Sequence, residues 1–157
     1  MDVHFQAMTV ADAPHIAQLL SMLDETSDWG VEDLRTSLME ERLRGTVVYR
    51  GAEQNDKQEL LGFIYWRSIV DEVEILNLGV AKSWRRQEIG RRLMDELFSF
   101  TKSIQAKRVF LEVRESNTGA QDFYRKFGFV PCGLRSGYYV DSQEAAMLMS
   151  LALGAPI

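Results

Sequence analysis

Residues with clear chemical potential fall in three places along the chain. Between Lys82 and Arg92 lie the basic residues Lys82, Arg85, Arg86, Arg91 and Arg92, with a single acid, Glu88. The cluster follows an extended apolar run ending at Val80 and precedes a helical pattern that starts near Gly90. A helix N-terminus offers free backbone N–H groups and the positive end of its dipole, so basic side chains gathered there suit a phosphate. The plainer alternative is a solvated basic helix start. Glu112 stands inside the otherwise apolar run Val109, Phe110, Leu111 and Val113, and alternation puts it on one face with Phe110 and Arg114. A carboxylate among apolar neighbours holds its proton more readily and can serve as a general base. An ion pair with Arg114 is the alternative. Tyr124 lies on the apolar face of the next helical pattern, as a further candidate site residue or as a core tyrosine.

These residues need elements to position them. Val3–Met8 is extended in character, and Thr9 with Asp12 resembles a capping box ahead of Ile16, Leu19, Leu20 and Leu23 at helical spacing. A second helix is expected over Val31–Leu43. Thr46–Tyr49 is β-branched and aromatic, and Leu60–Ile69 with Val73–Val80 reads as an antiparallel hairpin turning near Asp71. The helix from about Gly90 keeps Leu93, Leu97, Phe100 and Ile104 on one face. Arg108–Arg114 reads as a buried strand with charged ends. Ser116 and Asn117 are good N-cap residues for a helix carrying Ala120, Phe123, Tyr124 and Phe127, with Gly128 placed to end it in the left-handed conformation. Gly133–Tyr139 and Ala145–Leu153 complete the chain as strands. The expectation is an α/β fold, a mixed central sheet flanked by about four helices, as one domain over residues 1–157.

Composition narrows the function. The chain has 157 residues, 46% hydrophobic and 26% charged, with 18 Lys+Arg against 23 Asp+Glu and a net charge of −5. That apolar share excludes a disordered chain. The acidic balance disfavours a nucleic-acid or anionic-membrane partner, even with the basic loop. No signal-peptide pattern opens the chain, and no apolar run approaches the ~20 residues of a membrane span. Cys132 is the sole cysteine; it reads as a buried small apolar residue rather than a nucleophile. His4 and His15 stand without Cys or a paired His beside them and read as structural or surface residues. A cytoplasmic protein without a metal is expected.

The run Val80–Leu93 (VAKSWRRQEIGRRL) resembles the acetyl-CoA signature of the GCN5-related N-acetyltransferase superfamily, Arg/Gln-x-x-Gly-x-Gly/Ala. More specific is Leu111–Asn117 (LEVRESN) followed by Phe123–Phe129 (FYRKFGF). With Asn77–Val80 (NLGV), Gly137–Tyr139 (GYY) and Glu144–Met149 (EAAMLM), these runs resemble the branch of ribosomal-protein-alanine N-acetyltransferases. The similarity covers essentially the whole chain and is strongest from about Glu72 to Tyr139. The resemblance implies that Leu78, Gly79 and Val80 form a splayed strand along the pantetheine arm and the thioester of acetyl-CoA. It implies that Arg85, at the motif's Arg/Gln position, and Arg86, Gln87, Glu88, Ile89, Gly90 and Arg91 surround the pyrophosphate, and that Asn117 also binds acetyl-CoA. Glu112 would be the base and Tyr124 the acid, acting on a protein N-terminus, the alanine of a ribosomal small-subunit protein.

The pattern is broken at two points. Glu88 stands where the family's first motif glycine belongs. Either it points outward and pairs with Arg92, or it weakens the hold on acetyl-CoA. On the acceptor side, Asp28-Trp29-Gly30 replaces the branch's Pro-Trp-Ser step. Trp29 and Tyr138, with Tyr139, are expected to line the peptide groove or else to pack structurally, and Glu72 and Glu74 either attract an ammonium group or are solvated. Alternatives therefore stay open: transfer to a lysine side chain or a small amine, or a non-catalytic acyl-CoA-binding module.

Overall fold

The computed structural model describes residues 3–23, 31–40, 43–51, 58–139 and 144–154, with the side chains of 31–33 and 137–139 outside that description. The elements run β1 (Val3–Ala7), α1 (Ala13–Ser21), α2 (Val31–Met39), β2 (Arg44–Arg50), β3 (Glu59–Ile69), β4 (Glu72–Val80), α3 (Ile89–Ser103), β5 (Arg108–Arg114), α4 (Thr118–Arg125), β6 (Val130–Tyr139) and β7 (Glu144–Ala152). The strands form a 7-stranded sheet in the order β1-β2-β3-β4-β5-β7-β6. Every neighbouring pair is antiparallel except β4 and β5, which run parallel. A parallel pair needs a crossover, and α3 supplies it. The mixed α/β sheet is as the patterning implies.

β3 explains why the sheet is covered on both faces. Leu60 to Trp66 are all buried, so consecutive side chains of one strand feed two cores. On one face Leu61, Ile64, Val73, Ile75, Val109, Leu111 and Val113 pack with Leu93, Met94 and Leu97 of α3 and Tyr124 of α4. On the other, Val47, Phe63 and Tyr65 pack with Ile16, Leu19 and Leu20 of α1 and Leu34 of α2. Burying each such leucine or isoleucine contributes about 1.5–3 kcal/mol. Thr9 N–H donates to Asp12 Oδ2 at 2.7 Å at the entry to α1, as the capping pattern suggested, and Tyr49 Oη donates to Asp12 Oδ1 at 2.7 Å. His4 Nε2 donates to the Gly51 carbonyl and His15 lies edge-on to Tyr49, so both histidines have structural partners.

Some boundaries differ from the sequence reading. α2 ends at Met39 rather than Leu43, because Leu43 is buried at the start of β2 instead. α3 ends at Ser103, and Ile104 is its exposed C-cap residue, off the buried face of Leu93 and Leu97. Cys132 is exposed, not buried: it is the extra residue in β6 where the register with β7 shifts between Pro131 and Gly133. Among the described residues no helix is long and apolar enough to cross a membrane.

Candidate active site at the open end of β4 and β5

β4 and β5 pair only from Glu72↔Arg108 to Ile75↔Leu111. Beyond that point Leu76–Val80 and Glu112–Arg114 have no ladder between them, so the sheet opens at its centre. A bulge helps to open it. Tyr65 faces Asn77 and Trp66 faces Ile75, leaving Leu76 unmatched in β4. Alternation reverses across the bulge. Val73 and Ile75 face the α3 side before it, and Leu78 and Val80 pack there after it, while Leu76 packs on the α1 side.

The edge of β4 facing the opening carries a usable donor, the Val80 N–H. Ala81 N–H donates to the Leu61 carbonyl on β3 at 2.8 Å. Residues on either side of a strand position alternate in direction, so the N–H groups of Val80 and Leu78 point away from β3 and into the opening. Asn77 Oδ1 accepts from Leu78 N–H at 2.9 Å. Gly79 needs to be glycine: an added Cβ would come within 2.8 Å of the Phe63 ring and 2.9 Å of Leu23 Cδ1. Leu78, Gly79 and Val80 thus lie beside the gap.

The basic loop leads from this edge into α3. Lys82–Trp84 form a short 3₁₀ turn with Trp84 buried, its ring under the Arg50 guanidinium at 5.6 Å. Arg85 Nε donates to the Val80 carbonyl at 3.4 Å. Arg86 and Glu88 both have left-handed backbones, with φ of 64° and 66°. That explains the motif's preference for glycine at the position of Glu88. Gln87 is exposed between them and Ile89 is buried as the first residue of α3. The first bond within α3 runs from Arg92 N–H to the Glu88 carbonyl at 3.0 Å. The N–H groups of Ile89, Gly90 and Arg91 therefore precede it and are left for other acceptors. Gly90 has no side chain to cover them, and an added Cβ would meet the Phe123 ring of α4 at 3.0 Å.

Glu88 does point outward, but its partner is Arg91 at 3.3 Å rather than Arg92. Arg92 is engaged elsewhere, its guanidinium 4.0 Å above the Phe5 ring. The i,i+3 spacing and the left-handed N-cap bring Arg91 round first.

Glu112 is the first residue of β5 past the last pair with β4, and its side chain is only 15% exposed. Its surroundings differ from the apolar setting suggested by alternation. Arg135 of β6 lies 3.2 Å from Glu112 Oε1, whereas Arg114, the expected partner, pairs with Glu144 at 3.6 Å. Tyr124 is buried in α4, with edge-on contacts to Phe123 and Phe129. Burial pushes its phenol far above the usual tyrosine range, so it stays protonated at any physiological pH. The turn between β5 and α4 is locked in several ways. Asn117 Oδ1 accepts from Ala120 N–H at 2.9 Å as the helix cap. Buried Gln121 donates to the carbonyls of Arg114 and Glu115 at 3.1 and 2.9 Å. Glu144 accepts from Ser116 N–H at 2.9 Å; hydrogen bonds from Ser116 and the Arg114 charge hold its carboxyl below the usual range.

On the acceptor side, Glu72 and Glu74 are not waiting for an ammonium group. Glu72 pairs with Arg108 and Glu74 with Arg67, each at 2.6 Å. Trp29 lies outside the described residues, as do the side chains of Tyr138 and Tyr139, whose backbones belong to β6. Sequence reasoning missed Arg135, Asn77 and Gln121. Asn77 was at hand in the NLGV run, but nothing local marks Arg135. Among the described residues no cluster of His, Cys, Asp and Glu is arranged to hold a metal.

The chain is similar in sequence and fold to known proteins. The model of the acetyltransferase (GNAT) family matches residues 16–129. A Bacillus subtilis (strain 168) protein, provisionally assigned as a [ribosomal protein bS18]-alanine N-acetyltransferase, is 30% identical over 142 residues, covering 90% of each chain. The crystal structure of the ribosomal-protein-S18-alanine N-acetyltransferase from Escherichia coli superposes with a TM-score of 0.84 at 22% identity, covering 99% of this chain and 97% of that one. Arabidopsis thaliana NAA60 in complex with acetyl-CoA superposes with a TM-score of 0.83 at 17% identity, covering 98% and 100%. The chain belongs to the acetyltransferase (GNAT) family.

Proposed function

We propose that the protein transfers an acetyl group from acetyl-CoA to the α-amine of a protein N-terminus, with an N-terminal alanine of a ribosomal small-subunit protein as the acceptor. Residues 1–157 act as one catalytic domain, and a ribosomal acceptor places the reaction in the cytoplasm. The observation that carries this reading is the end of the β4–β5 ladder at Ile75↔Leu111, with Glu112 the next residue. The Bacillus subtilis relative's provisional assignment to bS18 alanine supports the acceptor.

The residues around the opening fit acetyl-CoA. The N–H groups of Ile89, Gly90 and Arg91, with Arg85, Arg86 and Gln87 around them, would hold the pyrophosphate, and Glu88 contributes backbone alone. Leu78, Gly79 and Val80 would line the pantetheine arm. Asn117, whose Oδ1 caps α4, would contribute its amide nitrogen. Bound there, acetyl-CoA supplies an activated acetyl group on a thiol leaving group. Glu112, directly or through a water, takes the proton that the attacking amine must lose. The Val80 N–H, aimed into the gap, donates to the carbonyl oxygen as negative charge grows on it. Tyr124 gives its proton to the departing sulfur, whose basicity is close to that of cysteine, about 8.5. Trp29 and Tyr138 would line the groove for the acceptor peptide.

The test is mass spectrometry of a peptide pool incubated with the protein and acetyl-CoA. The pool holds free N-termini starting with Ala, Ser, Met and Gly, plus blocked peptides with internal lysines. Acetylation of the Ala-led peptides alone is expected. Transfer to lysine peptides alone would overturn the acceptor and leave acetyl transfer standing. No transfer, with acetyl-CoA bound, would favour a binding module.

A further inference from the structure

Arg135 reaches Glu112 from two strands away. Glu112 faces Leu148 of β7, which faces Gly133 of β6; one row along, Arg114 faces Ala146, which faces Arg135. Residues in register, and those two apart, share a sheet face, so Arg135 sits diagonal to Glu112 across β7. Gly133 has no side chain and Ala146 is small and fully buried, which leaves a path over β7 for the long arginine. The β6 register shifts between Arg135 and Tyr139, so Arg135 is the last residue of regular pairing before the segment that contains Tyr138. The other charges on this patch, Arg114 and Glu144, are matched with each other at 3.6 Å. Each of these two carboxylates, Glu112 and Glu144, thus faces an arginine.

We propose that Arg135 is a specificity-determining residue that makes the site select α-amines over lysine side chains. The inference rests on the acceptor reading above and deepens it. A bare carboxylate attracts an ammonium group whatever its basicity. One already neutralised by a guanidinium does not, so the amine must enter uncharged. At pH 7 about a tenth of an α-amine is neutral, against about 0.04% of a lysine ε-amine, a difference of about 300-fold. The guanidinium touches Oε1, which leaves Oε2 for the incoming amine. As nitrogen bonds the acetyl carbon and sulfur departs, the amine's proton passes to Glu112 and the sulfur takes one from Tyr124. Exchange with water restores both groups, so the net proton moves from amine to thiol.

The experiment measures kcat/KM on two peptides of matched sequence. One has a free N-terminal alanine and no lysine, and the other is N-terminally blocked with one internal lysine. The unaltered protein, Arg135→Gln and Arg135→Lys are compared. The unaltered protein is expected to prefer the α-amine. Arg135→Gln should lower the α-to-lysine ratio at least tenfold, chiefly by gaining transfer to lysine, with the KM for acetyl-CoA unchanged. Arg135→Lys should keep the ratio. Equal slowing of both peptides in Arg135→Gln, or a ratio changed as much by lysine as by glutamine, would overturn the proposal. An unaltered protein that favours lysine, or acetylates neither peptide, overturns the acceptor reading itself and this inference with it.

Discussion

The same two strands behave in opposite ways at their two ends. From Glu72 to Ile75, β4 is paired with β5, and its side chains alternate between a buried core and ion pairs to Arg108 and Arg67. Lys107 N–H donates to the Asp71 carbonyl at 2.7 Å, and Leu153 N–H to the Lys107 carbonyl at 2.9 Å, closing that end completely. From Leu76 to Val80 the pairing with β5 is gone, the Val80 N–H points into the gap while that of Leu78 is held by Asn77, and Glu112 answers to an arginine on a third strand. The closed end satisfies its backbone within the sheet and holds the fold. The open end leaves the Val80 N–H for something else, and a half-buried strand edge without a partner is costly unless a ligand or water takes that place. Stability and chemistry are thus separated along one pair of strands by the single extra residue Leu76.

That division can be broken from either side. Glu112→Gln at the open end should lower kcat by about 10²–10⁴-fold with the Kd for acetyl-CoA little changed and the urea midpoint kept. A fall carried by cofactor affinity would make Glu112 structural. Leu111→Ala, one residue back on the closed end, should cost about 2–5 kcal/mol in urea unfolding, because a fully packed side chain is removed. A loss below 1 kcal/mol would show that the closed end is not what holds the sheet together. Tyr124→Phe should slow turnover by about 10–10³-fold, overlapping the lower part of the range of general acid catalysis, without loss of stability. Unchanged rates would return Tyr124 to the core. The smallest effect is expected for Glu88→Gly. Relieving a left-handed glutamate should stabilise the protein by about 1 kcal/mol. Acetyl-CoA affinity by calorimetry should change less than tenfold, since the side chain is 67% exposed and paired with Arg91. A gain of tenfold or more would mean that Glu88 obstructs the phosphate.

What could be read from the sequence follows the same division. Arg108–Arg114 was legible to the residue because a mostly apolar run is bounded by a charged residue at each end, and α4 because Asn117 and Gly128 mark its ends. The closed end is local in that sense. The open end depends on relations the sequence does not display. The unmatched Leu76 looks like any strand leucine. Glu112 meets Arg135 only because β6 pairs with β7 through two register shifts, a non-local arrangement that no short motif encodes. Glu72 and Glu74 looked available because their partners, Arg108 and Arg67, come from neighbouring strands. The left-handed backbone at Glu88 was visible only as a missing motif glycine, and the choice of Arg91 over Arg92 turned on Phe5, far away in sequence.

The central claim is that the open end of β4 and β5 is where acetyl-CoA binds. Hydrogen–deuterium exchange with and without acetyl-CoA tests it most directly. Added protection is expected at the amides of Val80 and Ile89–Arg91, with none at Glu72–Ile75 or Arg108–Leu111, which are already paired. Protection confined to other segments, with those amides unchanged, would contradict the account.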